Sequence, residues 1–237
     1  MPTVRANGID VYYETYGSGD PILVIGGLGS DLTQLQGLVG RLAERHLALA
    51  FDNRGVGRSD KPDEPYTIET MAEDAAGLLD TLNFSSVNVL GISLGGRIAI
   101  MLALLHPSRV KTLTLLSTSA RASNHQGLLW SLSNLMIRIP SVRAWGTKYP
   151  QPYYSYVRQR DASKGFDATP RLKEIVVPTL ILHGTKDRIV PFALALEMHA
   201  GIAGSKLQRF EGGHLQVFSK PSGLAASVVE FLASGVK

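Results

Sequence analysis

The chain has no cysteine, which excludes disulfides, thiolate metal sites and a cysteine nucleophile, and fits a reducing compartment. Residues 1–13 hold no basic stretch followed by an apolar one, so no secretory signal is read there. No apolar run reaches the length of a membrane span, and the expected address is the cytoplasm. Internal repeats and low-complexity tracts are also lacking. Charged residues are scarce, 19% against 44% hydrophobic, a balance too apolar for intrinsic disorder. At 237 residues, one domain with a large core is expected. The net charge of +4 is unevenly spread: residues 121–173 hold nine Lys or Arg against Asp161 and Asp167, a local +7 that leaves −3 elsewhere. No basic reading helix or aromatic-studded strand accompanies this charge, so nucleic acid is not an expected partner.

What is present alternates between two periods. Thr3–Ala6 and Ile9–Tyr16 read as short strands joined by Asn7-Gly8, a dipeptide suited to a tight hairpin turn. The unbroken apolar run Pro21–Ile25 suits a strand covered on both faces, Leu47–Phe51 reads as the next buried strand, and Val87–Ile92 and Val110–Leu116 as further strands. Helices are predicted between them, from the stripe of Leu32, Leu35, Leu38 and Leu42, from residues 68–82 and from Leu94–Leu105. After a break at residues 121–178, strand 179–182, helix 192–200, strand Lys206–Phe210 and helix 223–232 finish the chain. Repeated βα units predict a mainly parallel sheet with helices on both faces. Chemistry in such sheets gathers in loops beyond the carboxyl ends of the strands.

Three such loops carry reactive side chains. Gly91-Ile92-Ser93-Leu94-Gly95 matches G-x-S-x-G with a strand before it and a helix after it, the context that makes this motif a sharp turn exposing a nucleophilic serine. The alternative, in which Ser93 only caps the following helix, needs none of the glycines. Serine requires a base near neutrality, usually histidine. Of six histidines, His46, His106 and His199 belong to helices or their ends, and His125 to the break. His183 is read as shaping the loop that carries Asp187. His214, in Gly212-Gly213-His214 just past the last strand, is the base candidate. Asp187 lies beyond strand 179–182, and the preceding core strand's loop, residues 117–124, has no carboxylate. The order Ser93, Asp187, His214 is nucleophile, acid, base. Donors for an oxyanion are expected from the Leu94 backbone N–H and from Gly26-Gly27-Leu28-Gly29, where Leu28 is chosen.

These residues resemble the α/β-hydrolase superfamily over nearly the whole chain. The resemblance rests on residues 51–60 (FDNRGVGRSD), the turn at Ser93, residues 178–187 (PTLILHGTKD) and Gly212-Gly213-His214. It is greatest to bacterial carboxylesterases and 3-oxoadipate enol-lactonase-like enzymes. What it implies is an α/β-hydrolase fold with a core at 1–120 and 179–237, a short helical cap at 121–178, and a Ser-His-Asp hydrolase without metal or cofactor, while the motifs do not fix the substrate; a small-molecule carboxylic ester is the expected one. Asp52 and Arg54 match a loop motif that is mostly structural in the family. The same triad would serve an enol-lactonase, a C–C bond hydrolase, a cofactor-free perhydrolase or a slow-turnover small-molecule receptor. The serine at the turn argues against haloalkane dehalogenases, which use aspartate there. Two departures stand out: Gly26-Gly27 replaces the frequent His-Gly of the oxyanion loop, and the cap is shorter than the usual lid. Its apolar stretch at 128–139, with Leu129 and Trp130, is expected to line the acyl pocket. Arg138, Arg143, Lys148, Arg158 and Arg160 are expected on its outer face, where they would steer anionic substrates.

Overall fold

The computed structural model describes residues 2–122, 138–143 and 147–234. Strands β1 (Thr3–Ala6) and β2 (Ile9–Tyr16) form an antiparallel hairpin with Thr3 opposite Tyr12. Its turn places Asn7 at φ 44° and Gly8 at φ 80°, the paired positive values a two-residue hairpin needs. The chain then builds β3 (Pro21–Ile25), β4 (Leu47–Phe51), β5 (Val87–Ile92), β6 (Val110–Leu116), β7 (Thr179–Gly184) and β8 (Lys206–Phe210). The eight strands lie in the order β1-β2-β4-β3-β5-β6-β7-β8. Only the pairings made by β2 are antiparallel; β3 to β8 run parallel. This is the α/β-hydrolase fold, with the mainly parallel sheet expected from the alternating pattern.

Alternate residues of the unbroken apolar strands serve opposite faces. Leu23 and Ile25 join Met71 and Leu78 of α2 (Ile68–Thr81) and Ile98 and Leu102 of α3 (Leu94–Leu105) in one cluster. Ile22 and Val24 join Leu35 and Leu38 of α1 (Leu32–Leu42) in the other, with Val228 and Phe231 of the closing helix Pro221–Ala233. Asp31 starts α1 by accepting from the Thr33 N–H at 3.0 Å, and Thr67 starts α2 by accepting from the Thr70 N–H at 3.0 Å, as N-caps do. Asp52 stays in the structural part expected of it. Fully buried, it accepts from the Leu32 and Arg58 N–H groups at 2.8 Å each. Arg54 forms a buried forked pair with Asp74 at 2.5 and 2.6 Å.

The segment between β6 and β7 departs from the sheet at a narrow stem. The Ala122 N–H donates to the Phe166 carbonyl at 2.9 Å, and the Ala168 N–H to the Ala120 carbonyl at 2.8 Å. Pro140, read as closing a helix at 128–139, opens a short one, α4 (Pro140–Arg143). Residues 123–137, with Leu129 and Trp130, lie outside the described residues. A helix that the apolar pattern does not announce, α5 (Tyr153–Lys164), buries Ser155 and Gln159 rather than an apolar stripe. Phe166, Ala168, Leu172 and Ile175 pack into the α2–α3 side of the core, so the return limb of the segment is part of the main body. Among the described residues no helix is long and apolar enough to cross a membrane.

Candidate active site

β5 runs into α3 through a turn that only small residues permit. Ser93 sits at φ 54° and ψ −115°, a region that costs a non-glycine residue about 1–3 kcal/mol. Its N–H donates to the Leu116 carbonyl at 3.0 Å, and its own carbonyl accepts from the Gly96 N–H at 3.0 Å and the Thr118 hydroxyl at 2.5 Å. Its side chain makes no cap bond to α3. A Cβ on Gly95 would lie 2.1 Å from the Ile25 carbonyl oxygen, and one on Gly91 2.4 Å from the Gly95 carbonyl oxygen. We therefore expect Gly95→Ala to force β3 and α3 apart, at about 1–3 kcal/mol or more. Thermal denaturation should show a Tm lowered by several degrees, about 2–4 °C per kcal/mol for this chain length; an unchanged Tm would show that the contact relaxes freely.

Two further strand ends face this turn. The Ser93 hydroxyl lies 3.0 Å from His214 Nε2, and His214 Nδ1 lies 2.8 Å from Asp187 Oδ2. The other Asp187 oxygen accepts from the Ile189 and Val190 N–H groups at 2.9 and 2.8 Å. Burial opposes the Asp187 charge, but the bond from His214 and these two amides outweigh it and hold the carboxyl below its ordinary pKa. The structure thus brings all three predicted side chains into one hydrogen-bonded series, although Ser93 and His214 lie 121 positions apart in the chain. Lys186, the neighbour that would make Asp187 a surface ion pair, meets Glu211 instead. His183 is fully buried, and its Nε2 lies 2.9 Å from the Val190 carbonyl, closing the loop that carries Asp187. Burial pushes its pKa down, and Nε2 faces the Val190 carbonyl as a donor. His106 meets Glu73 and His199 meets Ser205, both at 2.9 Å; His125 lies outside the described residues.

The loop after β3 passes directly beside Ser93: a Cβ on Gly27 would stand 3.4 Å from the Ser93 Cβ. Leu28 and Leu94 line one cavity of about 170 Å³ with Ser93. Asn53 donates to the Gly26 carbonyl at 3.1 Å, and the Gly29 N–H donates to Gln159 Oε1 at 3.0 Å. Gln159 in turn donates to the Arg54 carbonyl at 2.8 Å, and the neighbouring Ser155 hydroxyl donates to the Gly55 carbonyl at 2.5 Å. The Leu28 and Leu94 N–H groups meet no acceptor among the described residues.

Tyr156, Arg160, Ser163 and Lys164 of α5 also line this cavity, as does Arg97 of α3. Arg160, expected on an outer face, thus turns inward. Of the other basic side chains of the segment, Arg158 pairs with Asp63 at 3.0 Å, while Arg138 and Lys148 lie over the rings of Tyr153 and Tyr149. Sequence reasoning did not single out Arg97, Asn53 or Gln159. A signal existed for Arg97 alone, the one charged residue of an otherwise apolar helix.

Comparison with known proteins agrees with this architecture. Residues 20–162 match the model of the alpha/beta hydrolase fold family, and the chain belongs to that family. A putative carbamate hydrolase RutD of Azorhizobium caulinodans is 28% identical over 240 residues, which cover 90% of this chain and 91% of that protein. The crystal structure of the enol-lactonase from Burkholderia xenovorans superposes with a TM-score of 0.86 at 27% identity, covering 98% of this chain and all of that one. An esterase from Exiguobacterium antarcticum gives 0.85 at 26% identity, covering 98% of each chain. These relatives agree on hydrolysis as the class of reaction and differ in the bond they are named for.

Proposed function

We propose that this hydrolase cleaves carboxylic ester bonds, with Ser93 as nucleophile, His214 as general base and Asp187 orienting the imidazole. The observation that carries this is the series from the Ser93 hydroxyl to His214 Nε2 at 3.0 Å and from His214 Nδ1 to Asp187 at 2.8 Å. With Nδ1–H held by Asp187, Nε2 is left as the acceptor. It takes the hydroxyl proton as Oγ attacks the ester carbonyl, then returns it to the departing alcohol oxygen, leaving an acyl group on Ser93. Water, deprotonated by the same nitrogen, releases the acid and restores the serine. The tetrahedral oxyanion would lie between the Leu28 and Leu94 N–H groups, each worth on the order of 3 kcal/mol in such sites. Within residues 121–178, α5 contributes side chains to the cavity over this centre, as expected of a small cap, while the return limb from Phe166 packs into the core. Relatives named as an esterase and an enol-lactonase support this reading. Hydrolysis of p-nitrophenyl acetate and butyrate, set beside a lactone series and repeated after treatment with a serine-directed phosphonate, tests the assignment. Turnover that survives stoichiometric phosphonylation would overturn it.

Gln159 is expected to serve this chemistry indirectly, by fixing Gly29 next to the oxyanion loop. Gln159→Leu leaves the Gly29 N–H and the Arg54 carbonyl unpaired in a buried place, a loss of about 1–3 kcal/mol. If part of that loosens the Leu28 amide, kcat falls by about tenfold or more while KM moves less. A variant with a lowered Tm but the parent's kcat would confine Gln159 to holding the cap.

A further inference from the structure

The cavity beside Ser93 carries a charge that ester cleavage alone does not use. Arg97, Arg160 and Lys164 line it, and among the described residues no carboxylate does. Arg160 and Lys164 both meet Asp161, at 3.0 and 2.8 Å. Arg97 differs. It stands one helical turn after Ser93 and is only 8% exposed. One guanidinium nitrogen donates to the Ser163 carbonyl at 2.9 Å and to the Ser163 hydroxyl, and another donates to the Ser119 hydroxyl at 2.9 Å. All these partners are neutral. Among the described residues no Asp or Glu pairs with it, and the stretches 123–137 and 144–146 contain neither residue type. Burial lowers its pKa to about 10. Arg97 is therefore satisfied in hydrogen bonds but not in charge, a costly state for a buried cation.

Resting on the ester-cleaving reading, we infer that the substrate is an ester or lactone bearing a free carboxylate, which Arg97 recognises in the cavity beside Ser93. A carboxylate offers a guanidinium both the missing charge and the planar, forked geometry it binds best. Arg160 and Lys164 in the same wall raise the local potential for an anion. Arg97 also ties α3 to the last turn of α5 through Ser163, and a purely structural latch would act alike on every substrate. Selectivity between charged and neutral substrates is what separates the two roles.

Two pairs of esters of equal length supply the measurement. p-Nitrophenyl hydrogen glutarate and p-nitrophenyl valerate differ by a carboxylate on the acyl side, and 4-acetoxybutyrate and butyl acetate by one on the alcohol side. In at least one pair the parent should favour the charged member. Arg97→Gln should reduce that ratio of kcat/KM by about a hundredfold, the scale of one charge-assisted pair, and Arg97→Lys should retain part of it. Glutarate should also inhibit valerate ester hydrolysis by the parent at concentrations where 1,5-pentanediol does not, which requires no variant to fold. Ratios that stay within about threefold of the parent in both pairs, with glutarate no better than the diol, would overturn the inference. Calorimetric titration of glutarate into Ser93→Ala does not depend on turnover. Glutarate binding without phosphonate labelling of Ser93 would thus sink the ester reading and keep the anion site, whereas labelling and neutral-ester turnover without selectivity would do the reverse.

Discussion

Replacing Ser93 by alanine should remove ester hydrolysis by a factor on the order of 10⁴ to 10⁶ while leaving the fold in place. The size of the loss follows from the geometry: no other hydroxyl is recorded against His214 Nε2 among the described residues, so nothing else stands ready to accept an acyl group. The small effect on stability follows from the hydroxyl's surroundings. Its one recorded partner is a half-buried imidazole, and the backbone bonds that hold the turn to Leu116, Gly96 and Thr118 do not involve the side chain. Turnover of p-nitrophenyl butyrate and thermal denaturation, measured on the same preparation, check both halves. Activity within about tenfold of the parent would mean that bond cleavage occurs at another residue.

Asp187→Asn should have the second largest effect, a fall in kcat of about 10⁴ with KM little changed, since an amide at this position can donate to Nδ1 and impose the wrong imidazole tautomer. The same substitution reports on stability. The Asp187 carboxyl titrates below its ordinary value, because the His214 ring and two backbone amides together outweigh the opposing effect of burial. Its stabilising contribution is therefore present above the pKa of an unfolded aspartate and is lost as pH falls through the lower, folded value. Denaturant titrations of parent and variant should converge on acidification and separate toward neutrality. A separation independent of pH would assign the effect to packing instead of charge.

The central strands β3 and β4 were legible because each is an unbroken apolar run, a pattern that survives without knowledge of its neighbours, whereas β8 (KLQRF) was legible only from its place in the βα alternation. Ser93, Asp187 and His214 stood out because each lies just past the carboxyl end of a parallel strand, so that the sheet brings them to one edge. α5 was not legible. Its inward face is Ser155 and Gln159, whose partners Gly55, Arg54 and Gly29 lie at least 100 residues earlier in the chain. Nothing local marks a polar side chain as buried when its acceptors are that distant. Arg160 illustrates the same blindness, since a basic residue on a polar helix reads as solvated until the cavity it lines is seen.

Entry and exit of the segment over the site share one stem, closed by the amides of Ala122 and Ala168. What lies beyond a closed stem can change length at little cost, because loop entropy grows only slowly with chain length. If the proposed cap and triad hold, substrate choice and bond-breaking chemistry could diverge independently, the first by rewriting what lies beyond the stem and the second by leaving the strand ends alone. The independence stops at α5. A replacement that omits a Gln159 equivalent would lose the side chain that ties the Gly29 N–H to the Arg54 carbonyl, and with it the support of the proposed oxyanion loop.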